Sequence, residues 1–204
     1  MDIRSIEYTI YGNLFKYIDI VGFSPISEND TPVKKEKKDF IKTLQFYSYI
    51  KIKSVGKENK DDLMYIFLVS DNSIVSKSLE FKKLLNTIPE KDAQVVIVSK
   101  EGIKTPVKKF MMKYAKKRLV IKNLLYAHFK VDIRNNIMVP IHKLCTIEET
   151  KKIMNDNNID NITQFPKIKR VDPQVLWSGG QPGQLMKVIR KDVTGEVVYY
   201  RVIT

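Results

Sequence analysis

The chain has 204 residues, 43% of them hydrophobic and 29% charged, which fits one large folded domain or two small ones. No apolar run approaches the ~20 residues that cross a bilayer, and Met1-Asp2-Ile3-Arg4-Ser5 lacks a leader's basic-then-apolar pattern, so a soluble, intracellular protein without a membrane partner is expected. The net charge of +13 favours a polyanionic partner and leaves DNA, RNA and acidic protein surfaces open.

In chain order, residues 3–21 place Ile3, Ile6, Ile10, Leu14, Ile18 and Val21 at helical spacing, and Gly22 is a fair stop. Residues 24–38, with Pro25, Pro32 and a lysine-rich run, read as a loop, either a solvated tether or a polyanion contact. A short helix over 40–46 follows. Residues 47–55 and 63–69 then read as two strands around the turn 56–62. The spacing predicts a helix over 76–88 with Leu79, Leu84, Leu85 and Ile88 inward. The β-branched run 94–98 predicts a buried strand. A helix begins near Thr105, the segment 118–126 fits either period, and 127–133 is expected as a last strand.

Residues 102–131 contain no acidic residue. Their cations are Lys104, Lys108, Lys109, Lys113, Lys116, Lys117, Arg118, Lys122 and Lys130. Thr105 as N-cap with Pro106 at the first helical position predicts a strand-to-helix turn that aims backbone N–H groups outward beside the positive end of a helix. Such a turn can hold a phosphate, and lysines after it add charge without reading a base. A solvated basic helix face is the plain alternative. Val107, Phe110, Met111 and Tyr114 are expected inward.

The tail begins at Val139-Pro140-Ile141-His142-Lys143-Leu144. Thr146-Ile147-Glu148-Glu149 is a capping box opening a helix to about Asn155 that should bury Ile147, with Ile153 and Met154. Pro166 and Pro173 push Phe165 and Asp172 into extended backbone and set Ile168 and Val171 on a stiff, strand-like path. Residues 179–183 form a glycine-rich turn into a hairpin of 184–191 and a last strand to Thr204. Such a tail has little apolar material for a private core and is expected to lean on a partner.

No metal, cofactor or catalytic residue is expected. His142 and Cys145 have half a zinc spacing, but the chain holds one cysteine and only one other histidine. That cysteine count excludes an internal disulfide and fits a reducing compartment. Gly179-Gly180-Gln181-Pro182-Gly183 lacks the Lys-Ser/Thr of a phosphate loop. Glu101 with Lys104, or Glu80 with Lys82, would need a neighbouring acid such as Asp92 to act as a nuclease. Trp177 reads as a core or interface anchor.

The order Val-Pro-x-His, then Pro-x-Ile-x-Arg-x-Asp-Pro, then Gly-x-x-x-Gly-Gln-x-x-Lys-Val-Ile-Arg resembles one family. It is the fifth common subunit of eukaryotic-type multisubunit RNA polymerases, together with its archaeal counterpart. The resemblance covers residue 139 to the end, and the first two-thirds are similar only in architecture and one Thr-Pro motif. It implies a mixed α/β jaw domain with a central mixed sheet over 1–136 and a small α+β assembly domain over 137–204. It further implies a non-catalytic subunit whose jaw meets downstream double-stranded DNA through Thr105 and Pro106, with Lys104, Lys108 and Lys109 beside them. The assembly domain would dock on the largest polymerase subunit through His142, Pro166, Arg170, Asp172, Pro173, Arg190 and Arg201. For Arg170, Asp172, Arg190 and Arg201, internal salt bridging around the hairpin is the other reading. Where the family has basic residues between its two glycines, this chain has Gln181 and Pro182. A free-standing, sequence-nonspecific nucleic-acid-binding protein is the rival class. The Lys-, Ile- and Asn-rich composition, with the divergent first domain, is consistent with a copy carried by a large DNA virus. It would act in virions and cytoplasmic viral factories, whereas a cellular copy would act in the nucleus.

Overall fold

The computed structural model describes residues 3–26, 34–89, 92–115, 120–193 and 195–204, and its secondary structure is of the α+β class. Contacts divide the chain into two compact units, Met1–Val131 and Asp132–Thr204. Pro32, Lys116, Lys117 and Arg118, and the side chains of Lys113 and Tyr114, lie outside what is described.

The N-terminal unit runs α1 (Ile3–Ile20), β1 (Phe23–Pro25), α2 (Lys37–Phe46), β2 (Tyr49–Gly56), β3 (Leu63–Val69), α3 (Ser73–Ser76), α4 (Ser78–Leu85), β4 (Ala93–Ser99), α5 (Thr105–Ala115) and β5 (Val120–Leu125). Its five strands form one mixed sheet in the order β1-β2-β3-β4-β5. β1–β2 and β2–β3 are antiparallel, and β3–β4 and β4–β5 parallel. The β-branched centre of β4, Val95 to Val98, is wholly buried, as expected of a parallel strand covered on both faces. One face, carrying Tyr65, Phe67, Val69, Val95 and Ile97, packs with Ile74 and Val75 of α3, Phe81 and Leu84 of α4, and Val107 of α5. α1 and α2 meet through aromatic edges, Tyr8 against Phe40 at 5.3 Å and Tyr11 against Phe40 at 5.0 Å.

Several sequence expectations are corrected. The buried stripe of α1 is Glu7, Ile10, Tyr11, Asn13, Leu14, Tyr17 and Ile18, turned away from Ile3, which is exposed. Residues 24–38 are not all loop: Phe23–Pro25 adds an edge strand and α2 starts at Lys37. The helix expected over 76–88 is α4, shortened to Ser78–Leu85 because Lys77 is extended at φ −109° and ψ 124°, and the preceding α3 was not anticipated. Phe81, not Leu79, then faces inward. The segment 120–125 is the strand, and 127–133 instead contains short 3-10 turns at Tyr126–His128 and Ile133–Asn135.

The C-terminal unit contains β6 (Ile141–Leu144), α6 (Ile147–Asp156), β7 (Lys167–Ile168), α7 (Pro173–Ser178), β8 (Leu185–Asp192) and β9 (Gly195–Ile203), with sheet order β6-β8-β9-β7. The capping box at α6 forms in both directions, Thr146 Oγ accepting from the Glu149 amide at 3.1 Å and the Glu149 carboxylate from the Thr146 amide at 2.8 Å. Ile147 is exposed, whereas Ile153 and Met154 pack with Phe165, Leu185 and Val202. Contrary to expectation, the tail has a core of its own: on its other side Val175, Met186, Val188, Ile168 and Ile203 cluster, and Trp177 is fully buried. The sequence reading missed α7, which Asp172 caps by accepting from the Gln174 amide at 2.9 Å, with Pro173 opening the helix. Val171 lies in the turn before it and is exposed, not on a strand-like path. Gly179, at φ 72°, closes α7 in the left-handed region. At Gly180 a Cβ would fall 2.6 Å from Ile203 Cδ1, so a larger residue there makes the buried Ile203 side chain shift.

Candidate nucleic-acid interface and docking surface

The basic turn follows the parallel strand β4, at the carboxyl end of the sheet. Ile103 is buried in the core below α3, α4 and α5, and the Lys104 amide donates to the Val75 carbonyl at 3.0 Å. These two anchors fix the start of α5. The Lys104 carbonyl accepts from the amides of Val107 at 3.1 Å and Lys108 at 3.0 Å. Lys104 is therefore the N-cap, with Thr105 and Pro106 at the first and second helical positions, one step earlier than the sequence pattern indicated. Proline has no N–H and the Val107 amide is satisfied internally. The N–H contribution to an anion site thus narrows to Thr105, and the lysines supply most of the attraction.

Lys104, Thr105, Pro106, Lys108 and Lys109 are all exposed on one short span. Lys104 also pairs with Glu101 at 3.0 Å, both half-exposed, a contact that costs little to exchange for a phosphate. Glu80 pairs with Lys83 at 2.9 Å, not with Lys82. Among the described residues no group of three His, Cys, Asp or Glu side chains is placed to hold a metal.

Behind the turn, sequence reasoning missed Glu7. Its carboxylate is 1% exposed and lies 3.3 Å from Lys100 Nζ and 3.0 Å from Arg4 Nη1. The carboxylate holds Lys100, the residue following β4, against α1. Nearby, Tyr126 donates to the Val69 carbonyl at 2.7 Å, and burial pushes its phenol well above the usual range. The Ser99 hydroxyl donates to the Glu101 carbonyl at 2.7 Å and accepts from Asn123 Nδ2 at 3.1 Å. No sequence signal marks Glu7, since one acid in a helical stripe reads as solvent-facing.

In the C-terminal unit the expected docking residues fall into two groups at opposite ends of one sheet. Pro166, Arg170, Asp172, Pro173 and Arg201 gather where β7 meets the end of β9. The Val202 amide donates to the Pro166 carbonyl at 2.8 Å, the Arg170 amide to the Thr204 carbonyl at 2.9 Å, and Arg201 Nη1 to the Lys167 carbonyl at 3.3 Å. His142 and Arg190 lie toward the far end, His142 opposite Val188 and Arg190 over the Tyr199 ring at 5.9 Å. Among the described residues no ion pair joins Arg170, Asp172, Arg190 or Arg201. His142 Nδ1 sits 2.8 Å from the Pro140 carbonyl. Cys145 packs on the opposite sheet face, as three residues along a strand require, so the two do not form half a metal site. Burial pushes the Cys145 thiol up.

With this geometry in place, comparison with known proteins is specific. The family described as RNA polymerase Rpb5, C-terminal domain, matches residues 131–203. DNA-directed RNA polymerase subunit Rpo5 of Methanococcoides burtonii is 35% identical over 75 residues, 36% of this chain and 95% of that protein. Rpo5 of Thermococcus celer is 38% identical over 73 residues, 35% of this chain and 88% of that protein. The DNA-directed RNA polymerases I, II, and III subunit RPABC1 of Caenorhabditis briggsae is 27% identical over 144 residues, 70% of this chain and 66% of that protein's length. The last match is longer than the C-terminal unit and so reaches into the first. Fold and likeness together define a subunit of the multisubunit DNA-directed RNA polymerases. The chain belongs to the Rpb5/Rpo5 family of those subunits.

Proposed function

We propose that the chain is a non-catalytic subunit of a transcribing polymerase, with its N-terminal unit against downstream duplex DNA and its C-terminal unit docked on the largest subunit. The observation that carries this reading is the exposed, lysine-rich start of α5, anchored after β4, in a chain of this family. Lys104, Thr105, Pro106, Lys108 and Lys109 would touch the phosphate backbone and no base, so the contact would be indifferent to sequence. His142, Pro166, Arg170, Asp172, Pro173, Arg190 and Arg201 supply the docking surface. Nucleotide addition would belong to other subunits. The site of action would be that of the polymerase joined, the nucleus for a cellular copy or a cytoplasmic viral factory for a viral one.

Changing Lys104, Lys108 and Lys109 together to Glu tests the DNA contact. Assembled polymerase should form normally, and its complexes on DNA should dissociate faster at moderate salt. An unchanged lifetime would remove the contact and leave the subunit assignment. The charge of +13 also favours a second reading, a free-standing nucleic-acid-binding protein. That reading requires tight duplex binding by the purified chain and no polymerase partner. Incubation with duplex DNA and magnesium separates both from a nuclease, which would cut.

A further inference from the structure

β6 ends the sheet, so its outer edge has no neighbouring strand among the described residues. Its register with β8 sets Ile141 opposite Ile189 and Lys143 opposite Lys187, and β8 sets Ile189 opposite Val198. One face of the sheet therefore carries an apolar row, Ile141–Ile189–Val198, beside a pair of facing lysines. α6 and its neighbours cover this face over Leu185, Val202 and Tyr200. Beyond them Ile141 is 49% exposed and Val198 39% exposed.

Two further features point to an occupant. Like charges directly opposite on adjacent strands repel, and neither Lys143 nor Lys187 has an ion-pair partner among the described residues. Next to the row, residues 134–141 and the end of β8 wall a groove of about 790 Å³, where Ile137 is 97% and Met138 85% exposed. A second copy of this chain would bring lysines against lysines. A nucleic acid would satisfy the lysines and leave Ile137, Met138 and Ile141 in water.

Resting on the subunit reading above, we infer that β6 takes an extended acidic segment of a partner polymerase polypeptide as an added strand. Its carboxylates would sit against Lys143 and Lys187, with apolar side chains two residues away over Ile141 and in the groove. Main-chain hydrogen bonds to the open edge would hold the segment, and the alternation of acid and apolar residues would fix its register.

The test uses the tagged full-length chain in its native source, as wild type, Lys143→Glu and Met138→Glu. Both changed side chains are exposed, and Lys143→Glu puts opposite charges across β6 and β8. The free variants should therefore melt no lower than wild type. Recovery of the two largest polymerase polypeptides should fall tenfold or more for Lys143→Glu, and measurably for Met138→Glu. A photo-crosslinker at position 141 should label a polymerase peptide in which acidic and apolar residues alternate. Wild-type recovery by both variants overturns the inference alone. So does a crosslink to nucleic acid, to a second copy of this chain, or to a peptide without acids. Failure of the wild-type chain to recover polymerase overturns the subunit reading and this inference with it.

Discussion

Gly180 has backbone angles open to any residue, yet an added Cβ would meet Ile203 at 2.6 Å, Val175 at 3.1 Å and Leu144 at 3.2 Å. Gly180→Ala should therefore destabilise the C-terminal unit by about 1–3 kcal/mol, as overpacking does, read as faster amide exchange in β8 and β9. At Glu7 the sign of the effect depends on which partner is removed. Arg4→Ala with Lys100→Ala strands a buried carboxylate without either cation and should cost about 3 kcal/mol in chemical denaturation. Adding Glu7→Gln should recover part of that loss. His128 accepts from the Leu125 amide through Nδ1 at 3.2 Å, and burial lowers its pKa from 6.5. The unfolded chain then binds the proton more readily than the folded one. This residue's contribution is complete above the unfolded value and is lost as pH falls below it. His128→Gln should flatten the decline in stability between pH 7 and 5, and an unchanged slope would contradict the assignment. Of these residues, the sequence marked Gly180 only as part of a turn, because its constraint comes from side chains that the fold delivers from three other elements.

Among the elements, α6 was legible because its signal is local: Thr146 and Glu149 satisfy each other's amides within one turn. Thr146→Ala should cost about 1 kcal/mol and loosen the first turn of α6 in amide exchange, leaving β8 and β9 protected. Strands β2, β3 and β4 were legible for a similar reason, since alternation or β-branched runs over seven or eight residues leave little choice of period. Short elements were not. β1 is three residues long and exists because Phe23, Ser24 and Pro25 align with Gly56, Val55 and Ser54, a pairing no local pattern encodes. α3 went unread because four residues are too few for a periodic pattern, and the extended backbone at Lys77 starts α4 two residues later than the spacing indicated. The private core of the tail was underestimated for the same reason. Trp177, read as a core or interface anchor, is fully buried on α7, an element the sequence did not show, with the Arg134 guanidinium 4.6 Å above its ring.

At the scale of the whole molecule, the charge of +13 is spread along the chain, and the exposed turn at α5 concentrates part of it on one rigid feature. If that feature neutralises three phosphates, raising salt from 50 to 200 mM should weaken duplex binding by the isolated chain about 40-fold. Filter binding against salt checks this, and a flat profile would contradict a phosphate contact. A grip so sensitive to salt works only where a larger machine already delivers the duplex. The central claim is therefore membership of that machine, and affinity purification of the tagged chain from its native source tests it most directly. The account predicts recovery in fixed proportion with two very large polypeptides that persist through a salt wash; recovery of the chain by itself would contradict it.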